Sequence, residues 1–159
     1  MFVYNMPMFV VRRWSTRHAA RLERLYNRFE ALLLRLHPLM QRLGYHRAEW
    51  LFRRVERVVK GFLFDSKMCG DCTLGATGMT CPMNCPKKMR NGPCGGVRQN
   101  GRCEIDANMP CVWLDAWRGG AQIEEGVRIV QIQAPVDHRL QGSSSWLRAV
   151  SRKLEAAHD

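Results

Sequence analysis

Seven cysteines are the residues of this chain best suited to chemistry. All of them fall between positions 69 and 111, and none occurs elsewhere: Cys69, Cys72, Cys81, Cys85, Cys94, Cys103 and Cys111. Thiolates bind zinc and iron–sulfur clusters. An odd number of cysteines without a recognisable secretory signal argues against a disulfide framework and favours a reducing, cytoplasmic location. All seven are therefore predicted metal ligands.

The spacing is compatible with either metal. Cys69 and Cys72 form one close pair, and Cys81 and Cys85 form a second. Zinc sites commonly use two such pairs, whereas iron–sulfur clusters spread four thiolates over a larger inorganic core. Proline directly follows both cysteines of the second pair, and glycine follows Cys69 and Cys94. These neighbours favour a cluster, and the lack of histidine within the block gives mixed Cys/His zinc ligation little support.

The number of cysteines does not match a whole number of four-ligand sites. One site would leave three thiols unused, and two sites would need an eighth ligand. Asp71, between Cys69 and Cys72, is one candidate, although an aspartate at such a position more often faces solvent. His138 is a more distant candidate. Spacing alone leaves open which cysteines share a centre.

The charge is distributed unevenly around this block. The chain carries 25 Lys+Arg and 14 Asp+Glu, a formal net charge of +11. Residues 1–60 hold 13 of the basic and 4 of the acidic residues, whereas residues 121–159 are balanced. The basic region is interpreted first as a solvated helix face, then as a surface for an acidic partner, and last as a site for nucleic acid or anionic lipid.

Two helices are predicted in the basic region, residues 1–62. Ser15 or Thr16 is expected to cap the first, Pro38 to end or restart it, and Gly44 to separate it from the second. The second is predicted from about residue 47 to 62. Both carry an apolar stripe at helical spacing, which predicts a hairpin packed through these stripes: Leu22, Leu25, Tyr26, Phe29, Leu32, Leu33 and Leu36, then Ala48, Leu51, Phe52, Val55, Val58, Val59 and Phe62. The second helix presents Arg53, Arg54, Arg57 and Lys60 on its other side.

Two further regions follow the helices. Residues 63–119 are rich in Gly, Pro and Cys and lack periodicity, so this module is predicted to fold through metal ligation. Residues 120–159 are predicted to form a short strand over 127–133, a helix from Trp146 to about Ala157, and a tail that docks on a partner. The predicted fold class is a small α-rich protein: an N-terminal helical hairpin, a loop-rich metal-stabilised cysteine module and a C-terminal helix.

One part of the cysteine block resembles a known family. The segment from Cys69 to Gly96 contains Cys-Pro-Lys-Lys-Met-Arg-Asn-Gly-Pro-Cys-Gly-Gly, and it is followed by Asn100-Gly-Arg-Cys and Cys111-Val-Trp. This pattern resembles the methylenetetrahydrofolate reductase C-terminal domain, a cysteine-rich module over about residues 62–117. All seven cysteines fall at motif positions.

The resemblance implies a partner subunit. Members accompany a flavin-containing TIM-barrel reductase that interconverts methylene- and methyl-tetrahydrofolate, and their cysteines hold iron–sulfur clusters, although zinc has also been considered. It therefore implies one 4Fe–4S cluster or two on this chain, with FAD or FMN on the catalytic partner. A count of seven ligands puts a second complete cluster in doubt.

The residues themselves agree with a non-catalytic role. The chain has no Gly-rich phosphate loop and no evident catalytic triad or carboxylate pair, and it is too short for a TIM barrel of about 250 residues. Three functions stay open: an electron-transfer and docking subunit, a zinc-stabilised scaffold for the same reductase, and a zinc module that binds nucleic acid. Neither a membrane span nor an export signal is expected.

Overall fold

The computed structural model describes residues 6–157, which contain five α-helices and no strand. The helices are α1 (Met6–Arg17), α2 (Ala19–Leu43), α3 (Tyr45–Phe64), α4 (Val112–Gly120) and α5 (Ser145–Glu155). Short 3-10 turns occur at Pro82–Asn84, Glu124–Val130 and His138–Leu140. The small α-rich fold, the N-terminal hairpin and the C-terminal helix are confirmed. Residues 1–5 of the predicted basic region lie outside the described residues.

The hairpin is formed by α2 and α3, but its predicted boundaries were partly wrong. Gly44 separates the helices with a positive φ of 92°. Ser15 and Thr16 do not cap a helix, because both lie within α1 and are buried; the Ser15 hydroxyl donates to the Leu63 carbonyl, 2.7 Å away. Pro38 does not break α2. Proline has no N–H to donate to the carbonyl one turn earlier in the helix. Pro38 is exposed, so water can solvate that carbonyl instead.

The hairpin buries only part of its predicted apolar stripes: Leu33 is buried, and Tyr26, Phe29 and Phe52 pack against the core formed with α5. Acidic side chains of α2 and α3 also point inward, and Glu23, Glu30 and Glu56 are all buried. Each binds a segment from the second half of the chain: Glu23 accepts from the Glu124 backbone N–H, and Glu30 pairs with Lys153 at 2.6 Å. Much of the apolar stripe is left exposed, including Leu25, Leu32 and Leu36 of α2 and Leu51, Val55, Val58 and Phe62 of α3.

The predicted strand over 127–133 is wrong. Residues Glu124–Val130 form a 3-10 helix, which begins where the Glu23 carboxylate binds the Glu124 N–H. Only the end of the segment is extended, where the Gln133 backbone exchanges two hydrogen bonds with the Asn91 side chain. Alternating sequence favours a strand only when a neighbouring strand pairs with it. No such neighbour exists within residues 6–157.

The C-terminal helix was predicted correctly to within two residues. It spans Ser145–Glu155, and the Ser144 hydroxyl accepts from the Leu147 N–H as its cap. Its inner face packs on α2 and α3, with Trp146 edge-on to Phe29 at a centroid separation of 4.7 Å. The helix therefore closes the open side of the hairpin and lies over the cysteine block.

The cysteine block crosses α4 at a backbone-to-backbone contact. Gly78, in the loop before Cys81, has a φ of 55° and lies against Gly119 and Gly120 at the end of α4. A Cβ atom at Gly78 would overlap the backbone of both residues. Glycine is required here because neither backbone can move aside as a flexible side chain could.

We expect Gly78→Ala to destabilise the protein by about 2–3 kcal/mol, because it combines overpacking with a strained left-handed conformation. Gly61→Ala is the matched control. Gly61 lies within α3 and has nothing within 4 Å of its would-be Cβ, so this change should stabilise the helix by up to about 1 kcal/mol. Urea denaturation of both variants measures the difference. Equal stability for the two would contradict the close crossing.

Candidate metal centre

Three of the seven cysteines line one cavity. Cys69, Cys72 and Cys81 meet beneath the start of α5, where Ser143 and Ser145 line the same cavity. Glu56 reaches it from α3. Cys69 and Cys72 come soon after the end of α3, and Cys81 follows the contact of Gly78 with α4. The cavity therefore depends on the position of α3 and on the Gly78 contact. The structure thus brings the first predicted pair together with one cysteine of the second pair.

The three thiols differ in their surroundings. Cys81 is buried, Cys69 is partly exposed and Cys72 is exposed. Burial raises the pKa of the Cys81 thiol to about 11, and the nearby charges of Cys72 and Cys69 add to this rise against backbone hydrogen bonds from Lys67 and Met83. An anionic Cys81 therefore requires a compensating cation, which a coordinated metal would supply.

A buried ion pair lies beside these thiols. Glu56 and Lys60 are one turn apart on the inner face of α3, with 1% and 4% of their surface exposed. The Lys60 ammonium lies 2.8 Å from Glu56 Oε1 and 2.7 Å from the Ser145 hydroxyl. The sequence placed Lys60 on the solvated side of its helix, and that prediction was wrong.

The other four cysteines lie outside this cavity. Cys85 ends the 3-10 turn that begins after Cys81, and Cys94 lies 3.6 Å from the Glu104 carboxylate. Cys103 and Cys111 lie on the two arms of a short hairpin. The Cys103 N–H donates to Met109, and the Cys111 N–H donates to Gly101. Backbone hydrogen bonds therefore join the two arms that carry Cys103 and Cys111, and neither of these cysteines lines the cavity of Cys69, Cys72 and Cys81.

The candidate eighth ligand Asp71 is engaged elsewhere. One of its carboxylate oxygens accepts from Arg90 at 2.8 Å and the other from Arg152 of α5 at 2.9 Å. Arg90 also donates to the Ala134 carbonyl, and Asn91 binds Gln133. Arg90 and Asn91 therefore link residues 133–134, which follow α4, to the cysteine block, and neither donates to a sulfur atom. His138 lies in a 3-10 turn and is not among the residues that line the three-cysteine cavity.

The two tryptophans of α4 differ in burial. Trp113 is buried, and its indole N–H donates to the Met89 carbonyl at 3.0 Å. Trp117 is exposed. Trp113 is therefore part of the support of the cysteine block.

A single metal ion needs several donor atoms that converge on one point. Within residues 6–157, no group of three or more His, Cys, Asp or Glu side chains is arranged to hold a single metal ion. The seven cysteines are all free, and three of them share one cavity. An iron–sulfur cluster is held by four thiolates, and this cavity supplies three of them, so the residues match such a cluster in donor type but not in number.

Sequence reasoning missed Glu56 and Lys60. Their spacing of four residues on a helix is common on solvated surfaces, where such a pair contributes about 0.3–0.5 kcal/mol. Glu56 lies one helical turn after Phe52, a residue of the apolar stripe that packs against the core formed with α5. Their position beside the thiols depends on where α5 packs.

These features define the chain as a cysteine-rich module built onto a helical hairpin. Residues 45–139, more than half of the chain, match the family described as "Methylene-tetrahydrofolate reductase C terminal", and the chain belongs to that family. The matched region begins with α3, so it includes Glu56 and Lys60 and all seven cysteines. No curated protein and no solved structure matches the chain. None of the described helices has the length and apolar character to cross a membrane.

Proposed function

We propose that this chain is the iron–sulfur-binding, non-catalytic subunit of a flavin-dependent methylenetetrahydrofolate reductase. It acts in docking and in electron transfer to or from the flavin of the catalytic subunit. The observation that carries this proposal is the cavity shared by Cys69, Cys72 and Cys81 within a chain that belongs to the reductase C-terminal family. A bound cluster would supply one-electron chemistry, and the thiols would hold it close to the surface.

Docking is supported by the exposed apolar face of the hairpin. Leu51, Val55, Val58 and Phe62 follow one another along α3 and form an exposed stripe that we call the α3 ridge. Clusters of exposed apolar side chains on a small protein commonly mark a partner interface. Three of the four carboxylates in residues 1–60 are buried, whereas Arg53, Arg54 and Arg57 of the same helix as the ridge are exposed. A partner surface with an apolar centre and an acidic rim complements it.

The first test is the metal content of the complex. The chain is co-expressed with the reductase catalytic subunit and purified without oxygen, and iron, acid-labile sulfide and zinc are measured per chain. The expected result is a brown complex with iron and sulfide in equal amounts. A fully active, colourless complex that contains only zinc would replace the redox role with a scaffold role.

The docking surface is tested by replacing two apolar side chains of the α3 ridge with glutamate. Val58→Glu combined with Phe62→Glu should weaken binding to the catalytic subunit by about 100-fold or more, because each apolar side chain buried in an interface contributes about 1.5–3 kcal/mol. Val58 and Phe62 are 71% and 64% exposed, so the fold should be retained. Affinity is measured by biolayer interferometry or calorimetry.

Ile105→Glu is the control for this experiment. Ile105 is 61% exposed but belongs to the loop between Cys103 and Cys111, away from α3. Its replacement should leave the affinity unchanged. Loss of binding in the control but not in the double variant would move the interface to the cysteine block.

A further inference from the structure

A second cavity lies between the hairpin, the cysteine block and α5. It encloses about 770 Å³, within the range of about 300–1,000 Å³ that is typical of small-molecule sites. Five separate segments of the chain line it: residues 22–30 of α2, 51–64 of α3, 72–79 of the cysteine block, 128–133, and 146–153 of α5. Walls from so many directions enclose a compact molecule better than the long groove in which a partner helix lies.

The wall of this cavity is rich in aromatic rings, which come from α2, α3 and α5: Tyr26, Phe29, Phe52, Phe64 and Trp146. Two of them, Phe29 and Trp146, already lie edge to face, with 4.7 Å between their ring centres. Aromatic rings gain free energy from offset or edge-to-face contact with further rings, beyond the burial of their surface. The lining therefore favours an occupant that has flat aromatic rings.

The charged residues of the lining are mostly basic. Lys60, Arg128 and Lys153 line the cavity, and Glu30 is the acidic residue among them. Glu30 pairs with Lys153, which leaves the lining with an excess of positive charge. Lys60 is 4% exposed, so water screens its charge less than it would at the surface. Its carboxylate partner, Glu56, does not line this cavity. Charge complementarity therefore favours an anionic group on the occupant.

We propose that this cavity, which we call the aromatic pocket, binds a small aromatic molecule that carries one anionic group. The rings pack among Tyr26, Phe29 and Phe52, and the anionic group faces the basic residues of the lining. The inference goes beyond the proposed function and requires neither a metal centre nor the catalytic subunit. The pocket therefore gives this chain a ligand of its own, in addition to any partner that covers the α3 ridge.

The test uses two fluorescent probes of matched shape on the full-length chain, purified without oxygen. Anilinonaphthalenesulfonate combines aromatic rings with one anionic group, and N-phenylnaphthylamine has the same rings without the charge. Both fluoresce strongly only in apolar surroundings, and equilibrium dialysis gives the number of molecules bound. The expected result is one bound equivalent of the sulfonate, with a higher affinity than that of the uncharged probe. No saturable binding, or equal affinities for the two probes, would overturn the proposal.

Two charge variants separate the pocket from general attraction to a basic protein. Arg128→Gln combined with Lys153→Gln should weaken binding of the sulfonate about 5-fold or more and leave the uncharged probe unaffected. Arg35→Gln combined with Arg53→Gln is the matched control. It removes the same amount of charge from exposed positions outside the pocket, so the affinity should change little. All four residues other than Lys153 are exposed, and the Lys153 side chain is 57% exposed, so both variants should keep the fold. Equal losses in the two variants would overturn the proposal.

A variant that fills the pocket tests its location. Ala149 lies on the α5 side of the lining, and Ala149→Trp should lower the affinity for both probes at least about 10-fold, because the new ring takes up their space. Ala31→Trp, at an exposed position of α2 outside the lining, should have no effect. Undiminished binding to Ala149→Trp would place the probes on an exposed apolar surface and overturn the proposal. Absence of probe binding, together with weaker binding of the catalytic subunit to Ala149→Trp, would assign the cavity to a partner segment and also overturn it.

Discussion

Replacing Cys81 with serine should abolish metal binding in the three-cysteine cavity and unfold the segment between α3 and α4. Cys81 is buried beside Cys69 and Cys72, and this segment has little regular structure of its own. In such modules the free energy of metal binding is folding free energy, about 10–16 kcal/mol for structural zinc. A serine hydroxyl does not ionise to replace the thiolate. Iron and sulfide per chain and near-ultraviolet circular dichroism measure the loss.

The double variant Cys72→Ser/Cys81→Ser provides the internal control for a shared centre. If the two thiols hold the same centre, the double variant should lose no more iron than Cys81→Ser alone, since losses within one unit are not additive. Cys94→Ser should behave differently, because Cys94 lies outside the cavity, beside Glu104. Cys94→Ser alone should therefore leave the iron content of the cavity unchanged. Full iron retention in Cys81→Ser would refute the cavity as the metal centre.

Replacing Glu56 with alanine should lower the free energy of unfolding by about 3–5 kcal/mol. That is the range for removal of one partner from a buried ion pair, because the remaining charge stays in the interior uncompensated. Here the remaining charge is Lys60, which is 4% exposed. The change also removes the acceptor for the backbone N–H groups of Ser145 and Trp146 at the start of α5. Chemical denaturation followed by tryptophan fluorescence measures the effect.

Glu30→Ala separates this effect from the general loss of a contact with α5. Glu30 also binds α5, through Lys153 at 2.6 Å, but the Lys153 side chain is largely exposed and water solvates it once the carboxylate is gone. The expected cost is about 1 kcal/mol or less. Equal destabilisation by the two changes would contradict the account of a buried, uncompensated lysine.

Local sequence was a reliable guide where a structural feature depends on neighbours along the chain. The helical periods of α2 and α3, the break at Gly44 and the serine cap of α5 are all of this kind. Each depends on backbone hydrogen bonds and side chains within a few residues. The family resemblance was also local, because it depends on the order and spacing of the cysteines, and the family match confirms it.

The same reasoning failed wherever a distant segment decided the outcome. The alternation over 127–133 favoured a strand, but Glu23 and the glycine contacts with α4 fold most of it into a 3-10 helix. Pro38 stays within α2 because the residue is exposed. Asp71 was considered as a ligand, but two arginines from other parts of the chain bind both of its oxygens.

The sequence by itself determined the fold class, the helical hairpin, the thiol-rich block and the family, since periodicity, turn residues and cysteine spacing are properties of short segments. Only the tertiary structure decided which face of the hairpin is buried and which cysteines share a cavity. α5 packs where Phe29, Leu33 and Phe52 of the apolar stripes adjoin Glu56, whose carboxylate accepts from the N-terminal turn of α5. That packing places Glu56 and Lys60 beside the thiols and leaves the α3 ridge exposed.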